Sequence, residues 1–269
     1  MASHRIFITG GLGNTLFQIA HMCAINKKHD VKIIKAIYQN TLLTKMLGWS
    51  VHSELIALNK LPEHKCKTMD FFVLILLFLK RKIYPNMDVS ISFLDITWHF
   101  GYFQSDLDCD YSFIKKYISK YINFSPSYAS LDPEHPDFLS LQNSCIIHIR
   151  KGDFPADTII DNSYYLKIIK NLTSKFENFI FIGVEAETVL EYVKSNGINN
   201  VTLAQKKCEK YDYNLMFYCK NIVVSNSTFC FWPVFLGCKK TVYLTNTKAH
   251  WPFKTLYGNF KDVKLITIK

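Results

Sequence analysis

From Cys145 onward, short apolar runs alternate with amphipathic stretches at intervals that leave room for little except β-α-β units. Cys145–Arg150, Phe179–Gly183, Val201–Leu203, Ile222–Ser225 and Thr241–Leu244 read as strands. Between them Ser163–Ser174, Glu185–Ser195, Asp212–Cys219 and Thr228–Leu236 carry helical patterning. A strand covered on both faces loses the polar alternation of a half-exposed one, so such runs separated by helices predict a parallel sheet. The expected class is α/β, Rossmann-like in this half, with ligands at the carboxyl ends of strands.

The first half opens the same way. Arg5–Thr9 reads as a strand, Gly10-Gly11-Leu12-Gly13-Asn14 as a turn, Thr15–Ile25 as a helix and 31–34 as a second strand. Beyond that the pattern blurs into a helical bias with many aromatics. Residues 125–144 hold three prolines among Ser, Asp and Asn, a composition that interrupts periodic structure. The boundary is therefore set there: an N-terminal domain over 1–130, a linker over 131–144 and a C-terminal domain over 145–269, two α/β domains facing a cleft.

A hydrophobic fraction of 49% against 20% charged residues excludes disorder as the main state. The net charge of +10 favours anionic ligands, among them nucleotides and lipid head groups. Nucleic acid is set aside, because no arginine cluster or RNA-binding signature is present. Only Arg5, Arg81 and Arg150 are arginines among 32 basic residues; such a bias is usually background composition, but where it is broken a planar fork can do what lysine does poorly, and Arg150 lies in the most informative segment. The eight cysteines form no C-x-x-C pair and no zinc-finger spacing. Several lie in apolar runs, as reduced thiols of a cytoplasmic protein do. The opening MASHRIFITGG lacks the charged-then-apolar order of a signal peptide. The run Phe71–Leu79 has nine apolar residues, where a membrane-spanning helix needs about 20. Two readings stand: a buried helix or strand, or a peripheral membrane contact with Lys80, Arg81 and Lys82 on lipid phosphates.

Three segments carry chemistry. The glycine-rich turn at 10–14 lies between a strand and a helix, where Gly11 and Gly13 let a ligand approach the backbone. Asn14 there either caps the helix or holds a ligand hydroxyl. In His148-Ile149-Arg150-Lys151-Gly152-Asp153, His148 and Arg150 are two apart and project to one face of a strand. An arginine leaving a strand end can grip phosphate oxygens bidentately. At Asn226-Ser227-Thr228 a strand gives way to a helix, whose hydroxyls and open amides form either a phosphate seat or an ordinary cap.

These segments, with Phe17-Gln18, Gly101-Tyr102-Phe103-Gln104-Ser105 and the run from Leu215-Met216 through Lys220 to Phe229 and Trp232, stand in one order across nearly the whole chain. The set resembles the inverting α-1,2-fucosyltransferases of bacterial and animal type. The resemblance implies a GT-B-like fold, two Rossmann-type domains facing a cleft. It implies a GDP-fucose donor as substrate, no cofactor, no metal, and transfer with inversion to the 2-OH of a galactose-type glycan acceptor. Arg150 would contact the donor diphosphate with His148 beside it, and Asp153 would serve as base or orient Arg150. Gly11, Gly13, Asn14, Asn226, Ser227 and Thr228 would help hold the donor. Three positions depart from the family pattern. Lys151 replaces a second arginine, Cys230-Phe231-Trp232 replaces S-W-W, and Gly183-Val184-Glu185 stands where an acidic turn would touch guanine or ribose. The alternatives are a transferase for another deoxysugar nucleotide, or a non-catalytic glycan- or nucleotide-binding module on the same scaffold.

Overall fold

The computed structural model describes residues 3–29, 34–37, 67–83, 88–93, 95–103, 111–120, 141, 143–152, 159–205, 207–237, 239–245, 257–258 and 260–268. The chain divides into two compact units, Met1–Phe124 and Ser125–Lys269, each with its own sheet. Residues 121–140, which hold the three prolines, lie outside the described residues.

Among its described residues the second unit has six strands: β5 (Ser144–Ile149), β6 (Asn178–Gly183), β7 (Val201–Leu203), β8 (Asn221–Val223), β9 (Lys240–Thr245) and β10 (Val263–Ile268). Every pair is parallel, in the order β10-β9-β8-β5-β6-β7. Helices α4 (Asn162–Leu172), α5 (Ala186–Ser195), α6 (Glu209–Tyr218) and α7 (Thr228–Leu236) connect the strands. The expected strands and helices of this half are all present to within a few residues. The exception is β10, which sequence patterning leaves unread. Its half-exposed side chains give no continuous apolar run. The core is aliphatic and aromatic, with Ile147, Phe179, Phe181 and Val223 of the strands against Tyr165, Ile169, Val189 and Val193 of the helices. β5 enters first, and the chain then winds outward through β6 and β7. It returns to lay β8 on the other side of β5. The winding direction reverses between β5 and β8.

A charged side chain is buried in this unit. Lys240, at the start of β9, is 2% exposed. Its Nζ donates to the carbonyls of Met216, Phe217 and Cys219 at 2.8, 3.0 and 3.1 Å. These carbonyls close α6, where a helix lacks internal donors and carries partial negative charge. Three donors meet three acceptors, so the ammonium is a strut between β9 and α6.

The first unit has β1 (Ser3–Phe7), β2 (Ile34–Ile37), β3 (Val89–Phe93) and β4 (Ile96–Phe100), with α1 (Leu12–His29), α2 (Thr68–Ile83) and α3 (Tyr111–Ile118). The sheet order is β2-β1-β4-β3. β1 runs parallel to β2 and β4, but β3 is antiparallel to β4. This unit therefore starts as a β-α-β fold and closes on a hairpin, turned at Asp95 with φ 58. The second strand lies at 34–37 where 31–34 was expected; residues 31–33 lie outside the described ones.

The apolar run Phe71–Leu79 forms most of α2. Its inner face, Val73, Leu74 and Leu77, packs on Phe7, Val89, Trp98 and Phe100. Asp70, fully buried at the start of α2, fixes the helix to the sheet. It accepts from Arg5 Nη1 at 2.5 Å, Trp98 Nε1 at 2.8 Å and the Lys67 amide at 2.9 Å. Burial works to raise the Asp70 carboxyl, and the hydrogen bonds from Trp98, Lys67 and Arg5 outweigh it, leaving the group below its usual range. Arg5, whose fork also lies over the Trp98 ring at 5.2 Å, is thus a structural arginine.

Three histidines join β1, β4 and α1. His4 Nδ1 is 2.9 Å from His99 Nε2, and His99 Nδ1 is 3.4 Å from His21 Nε2. The His21 ring also stacks on Phe103 at 3.8 Å between centroids. Burial first, then the charge of neighbouring rings, lowers His21 from 6.5 to about 3 and His99 to about 4. The unfolded chain takes up protons near pH 6.5 that the folded unit refuses, so unfolding binds protons and stability falls with pH. We expect the urea midpoint to drop as pH falls from about 6.5 toward 4. His99→Gln should flatten part of that slope. An unchanged slope would mean the histidines do not set it.

Candidate active site

The winding reverses between β5 and β8, and the carboxyl ends of strands at such a switch point are where an open α/β sheet places its ligand. His148, the penultimate residue of β5, is 2% exposed. Its Nδ1 lies 2.8 Å from Ser225 Oγ, just past β8, so one hydrogen bond ties the two diverging strand ends together. Its Nε2 faces β6. A Cβ built on Gly183 would stand 3.4 Å from that nitrogen and 2.2 Å from the Ile149 carbonyl oxygen. Gly183 also has φ +95, so both space and backbone require glycine there. Burial, then the charge of Arg150, lowers His148 to about 3. The ring is therefore neutral and enters any chemistry as a hydrogen-bonding group, not as a cation.

Arg150 is the first residue beyond β5, half-buried, with its charge felt at His148. The chain then turns at Gly152, φ +68, where a Cβ would lie 3.3 Å from Val184 Cγ1 and 3.9 Å from Glu185 Oε1. Glu185, itself at φ 65, thus carries an exposed carboxylate to the turn after Arg150. Lys151 is held by Asn162 Oδ1. Asp153 lies outside the described residues.

The segment after β8 is buried through Ser225, Asn226 and Ser227. Ser227 is the N-cap of α7, its Oγ accepting from the Phe229 amide at 3.2 Å. The two readings of this turn, a cap and an anion seat, share one geometry, because capping leaves other first-turn amides open. Cys230 braces the turn from behind, its thiol 3.1 Å from the Ser227 carbonyl and 3.5 Å from that of Ser225. Thr228 opens the helix, and Phe229 packs between His148 and Tyr213, with ring centroids at 5.9 and 6.0 Å.

Asp212 was not singled out in the sequence. It lies in the first turn of α6 and accepts from the Gly183 amide at 3.1 Å. Burial raises it from 3.8 to about 7, with the Gly183 amide opposing. A carboxylate held at the switch point with one backbone donor has capacity for further donors. Its position as an acid in the first turn, ahead of Leu215-Met216, is the signal that a reader of the sequence had available.

The glycine turn of the first unit is built separately. Helix α1 begins at Leu12, so Gly13 and Asn14 lie in its first turn and Asn14 is not the N-cap. Gly11 precedes the helix, its carbonyl accepting from Thr15 N at 3.0 Å. Gly10 has φ +84, and a Cβ there would lie 3.6 Å from Asn14 Nδ2 and 3.9 Å from Tyr102 Cε1. Gln18, fully buried, takes the Thr9 amide at 3.0 Å and donates to the Gly101 carbonyl at 2.9 Å, joining the exits of β1 and β4. Asp88 Oδ1 accepts from the Tyr102 and Phe103 amides at 2.8 and 2.9 Å. Thus 10–14 is gathered with 101–103, and 148–150 with 183–185, 212 and 225–229, within their own units. Among the described residues no group of three His, Cys, Asp or Glu is placed to hold a metal. Asp108-Cys109-Asp110, two carboxylates at a spacing that can grip a divalent ion against a diphosphate, lies outside them.

Known proteins supply the class. Glycosyl transferase family 11 matches over residues 98–264, more than half of the chain, and the chain belongs to that family. Solved structures similar to it are GT-B glycosyltransferases. The Bradyrhizobium fucosyltransferase NodZ is 12% identical, with 88% of this chain and 93% of that chain covered and a TM-score of 0.50. The E. coli heptosyltransferase WaaC with ADP is 9% identical over 99% and 93%, with a TM-score of 0.46. No curated protein matches in sequence. The fold is of GT-B type and the protein is a glycosyltransferase.

Gly183 gives the sharpest test of the site's construction. Gly183→Ala should cost about 2 kcal/mol or more, through the clash at the Ile149 carbonyl in addition to the positive φ. Gly197→Ala shares a φ of +87 but meets nothing within 4 Å, and should cost about 1 kcal/mol. Equal losses in chemical denaturation would mean that the Ile149 contact adds nothing.

Proposed function

We propose that the protein transfers L-fucose from GDP-fucose to a glycan hydroxyl, the 2-OH of a galactose-type sugar, with inversion and without a metal ion. The observation that carries this reading is Arg150 at the carboxyl end of β5, beside the His148–Ser225 pair at the switch point. Family membership narrows the chemistry to glycosyl transfer. When the bond between fucose C1 and the phosphate oxygen breaks, the sugar becomes oxocarbenium-like and the diphosphate gains negative charge. Arg150 offers two parallel donors to those oxygens, and the first turn of α7, with Asn226, Ser227 and Thr228, offers amides and hydroxyls. The neutral His148 ring adds a hydrogen bond without adding charge. The acceptor hydroxyl attacks the opposite face and loses its proton to a base. Asp153, three residues beyond Arg150, takes that role or orients the guanidinium.

Asp212 supports guanine as the base. Guanine presents N1–H and N2–H side by side, which one carboxylate can accept together. Uracil offers one N–H flanked by carbonyl oxygens that a carboxylate repels. Glu185, beside Gly152, supplies an exposed acid on the same turn. GDP should raise the melting temperature and UDP should not. The GDP effect should weaken as pH falls through about 7, where Asp212 takes up its proton. Asp212→Asn should abolish that dependence. Hydrolysis of GDP-fucose without acceptor should continue in EDTA. Stabilisation by UDP alone, or turnover restored only by Mn²⁺, would overturn the donor or the metal-free mechanism respectively.

Lysine keeps the charge of Arg150 but loses the fork. Because diphosphate charge grows toward the transition state, Arg150→Lys should lower kcat by about 100-fold or more and weaken GDP binding much less. Near-normal turnover in a folded variant would remove Arg150 from the reaction.

A further inference from the structure

Helix α2 has a second, exposed face. Met69, Phe72, Leu76, Leu79 and Ile83 recur at spacings of three and four and form one stripe along about 20 Å of helix. Each is half exposed or more, from Leu79 at 50% to Ile83 at 71%. This stripe lies opposite Val73, Leu74 and Leu77, which are buried against the sheet. Scattered exposed apolar residues are ordinary, but a contiguous row of five on one helix marks an interaction surface.

The charges around the stripe select its partner. The only acid in α2 is Asp70, which is buried and held by Arg5 and Trp98. Lys67 is exposed immediately before the helix, and Lys80 and Lys82 are exposed in its last turn. Lys80 lies along the sheet edge, its Nζ 3.4 Å from the Ser90 carbonyl, and Lys82 Nζ stands 5.4 Å from the Phe78 ring centroid. The surface is therefore apolar along its centre and cationic at both ends, in a chain of net charge +10. A second copy laid against it in either direction would oppose lysine to lysine, which is costly across an interface. An anionic bilayer answers both features: its acyl boundary takes the stripe, and its phosphates take the lysines, whose stems let the ammonium reach outward. No helix among the described residues is long and apolar enough to cross a membrane, so the contact would be peripheral.

We propose that α2 is a membrane-docking helix that lays the first unit on an anionic lipid surface. This reading is independent of the donor assignment, because the stripe uses none of the residues placed in the active site.

Flotation with extruded vesicles tests it. The protein should float with mixed phosphatidylcholine–phosphatidylglycerol vesicles, and less with phosphatidylcholine alone. Leu76→Glu combined with Leu79→Glu should reduce the bound fraction by about tenfold or more, while the soluble hydrolysis of GDP-fucose and the circular dichroism spectrum stay unchanged. Tyr218→Glu, at an exposed apolar residue of the second unit, should bind as the parent does. Absence of flotation by the parent would overturn the proposal, as would equal flotation of the double variant. So would concentration-dependent dimerisation abolished by the same two substitutions, which would assign the stripe to a second copy. If the double variant loses binding only because it unfolds, Lys80→Gln with Lys82→Gln decides: binding to anionic vesicles must fall, and binding that does not fall overturns the proposal.

Discussion

The hydrogen bond between His148 and Ser225 holds together the part of the second unit that matters most. β5 and β8 are neighbours in the sheet, yet the chain leaves them toward opposite edges, and nothing in the ladder itself ties their exits. The 2.8 Å contact does so across 77 positions of sequence. It places Arg150 on one side and the start of α7 on the other at a fixed separation. Burial of the ring and the neighbouring charge of Arg150 keep it neutral, so the tie is a hydrogen bond without an added charge. Gly183 completes the arrangement by leaving room for both the Ile149 carbonyl and the imidazole.

Much of this unit was legible in the sequence because its strands are covered on both faces and its helices are short and regular. Local pattern and final environment agree for Cys145–Ile149 or Phe179–Gly183. Agreement fails where environment is made by distant chain. β10 sits at the sheet edge with half-exposed side chains, and only its pairing with β9 makes it a strand. The antiparallel β3 follows from a hairpin at Asp95 that no glycine announces. Lys240 looks like any surface lysine until the end of α6 is brought to it.

The site shows the same division. His148, Arg150 and the 226–228 turn were readable because a strand end and a helix start put them at known places. Asp212 was not, since its raised pKa comes from burial, and its partner amide at Gly183 is 29 residues away. At the departure from the family pattern, 183–185, Glu185 has a left-handed backbone and its side chain lies beside Gly152, a neighbour 33 residues away that no local pattern predicts. Arginine scarcity pointed to Arg150, which the structure places just beyond β5; Arg5, which the sequence did not single out, pairs with a buried aspartate and lies over a tryptophan face.

Cys230 gives the site one further property. Its thiol is wholly buried behind the 225–227 turn, where its proton is shared between the two carbonyls that shape the start of α7. Burial also pushes the thiol up to about 11, so the thiolate that reacts with electrophiles is scarce as well as hidden. A reagent can meet this sulfur only after a local opening of the fold around the 225–227 turn, so the rate at which Cys230 is alkylated reads the stability of the start of α7 directly.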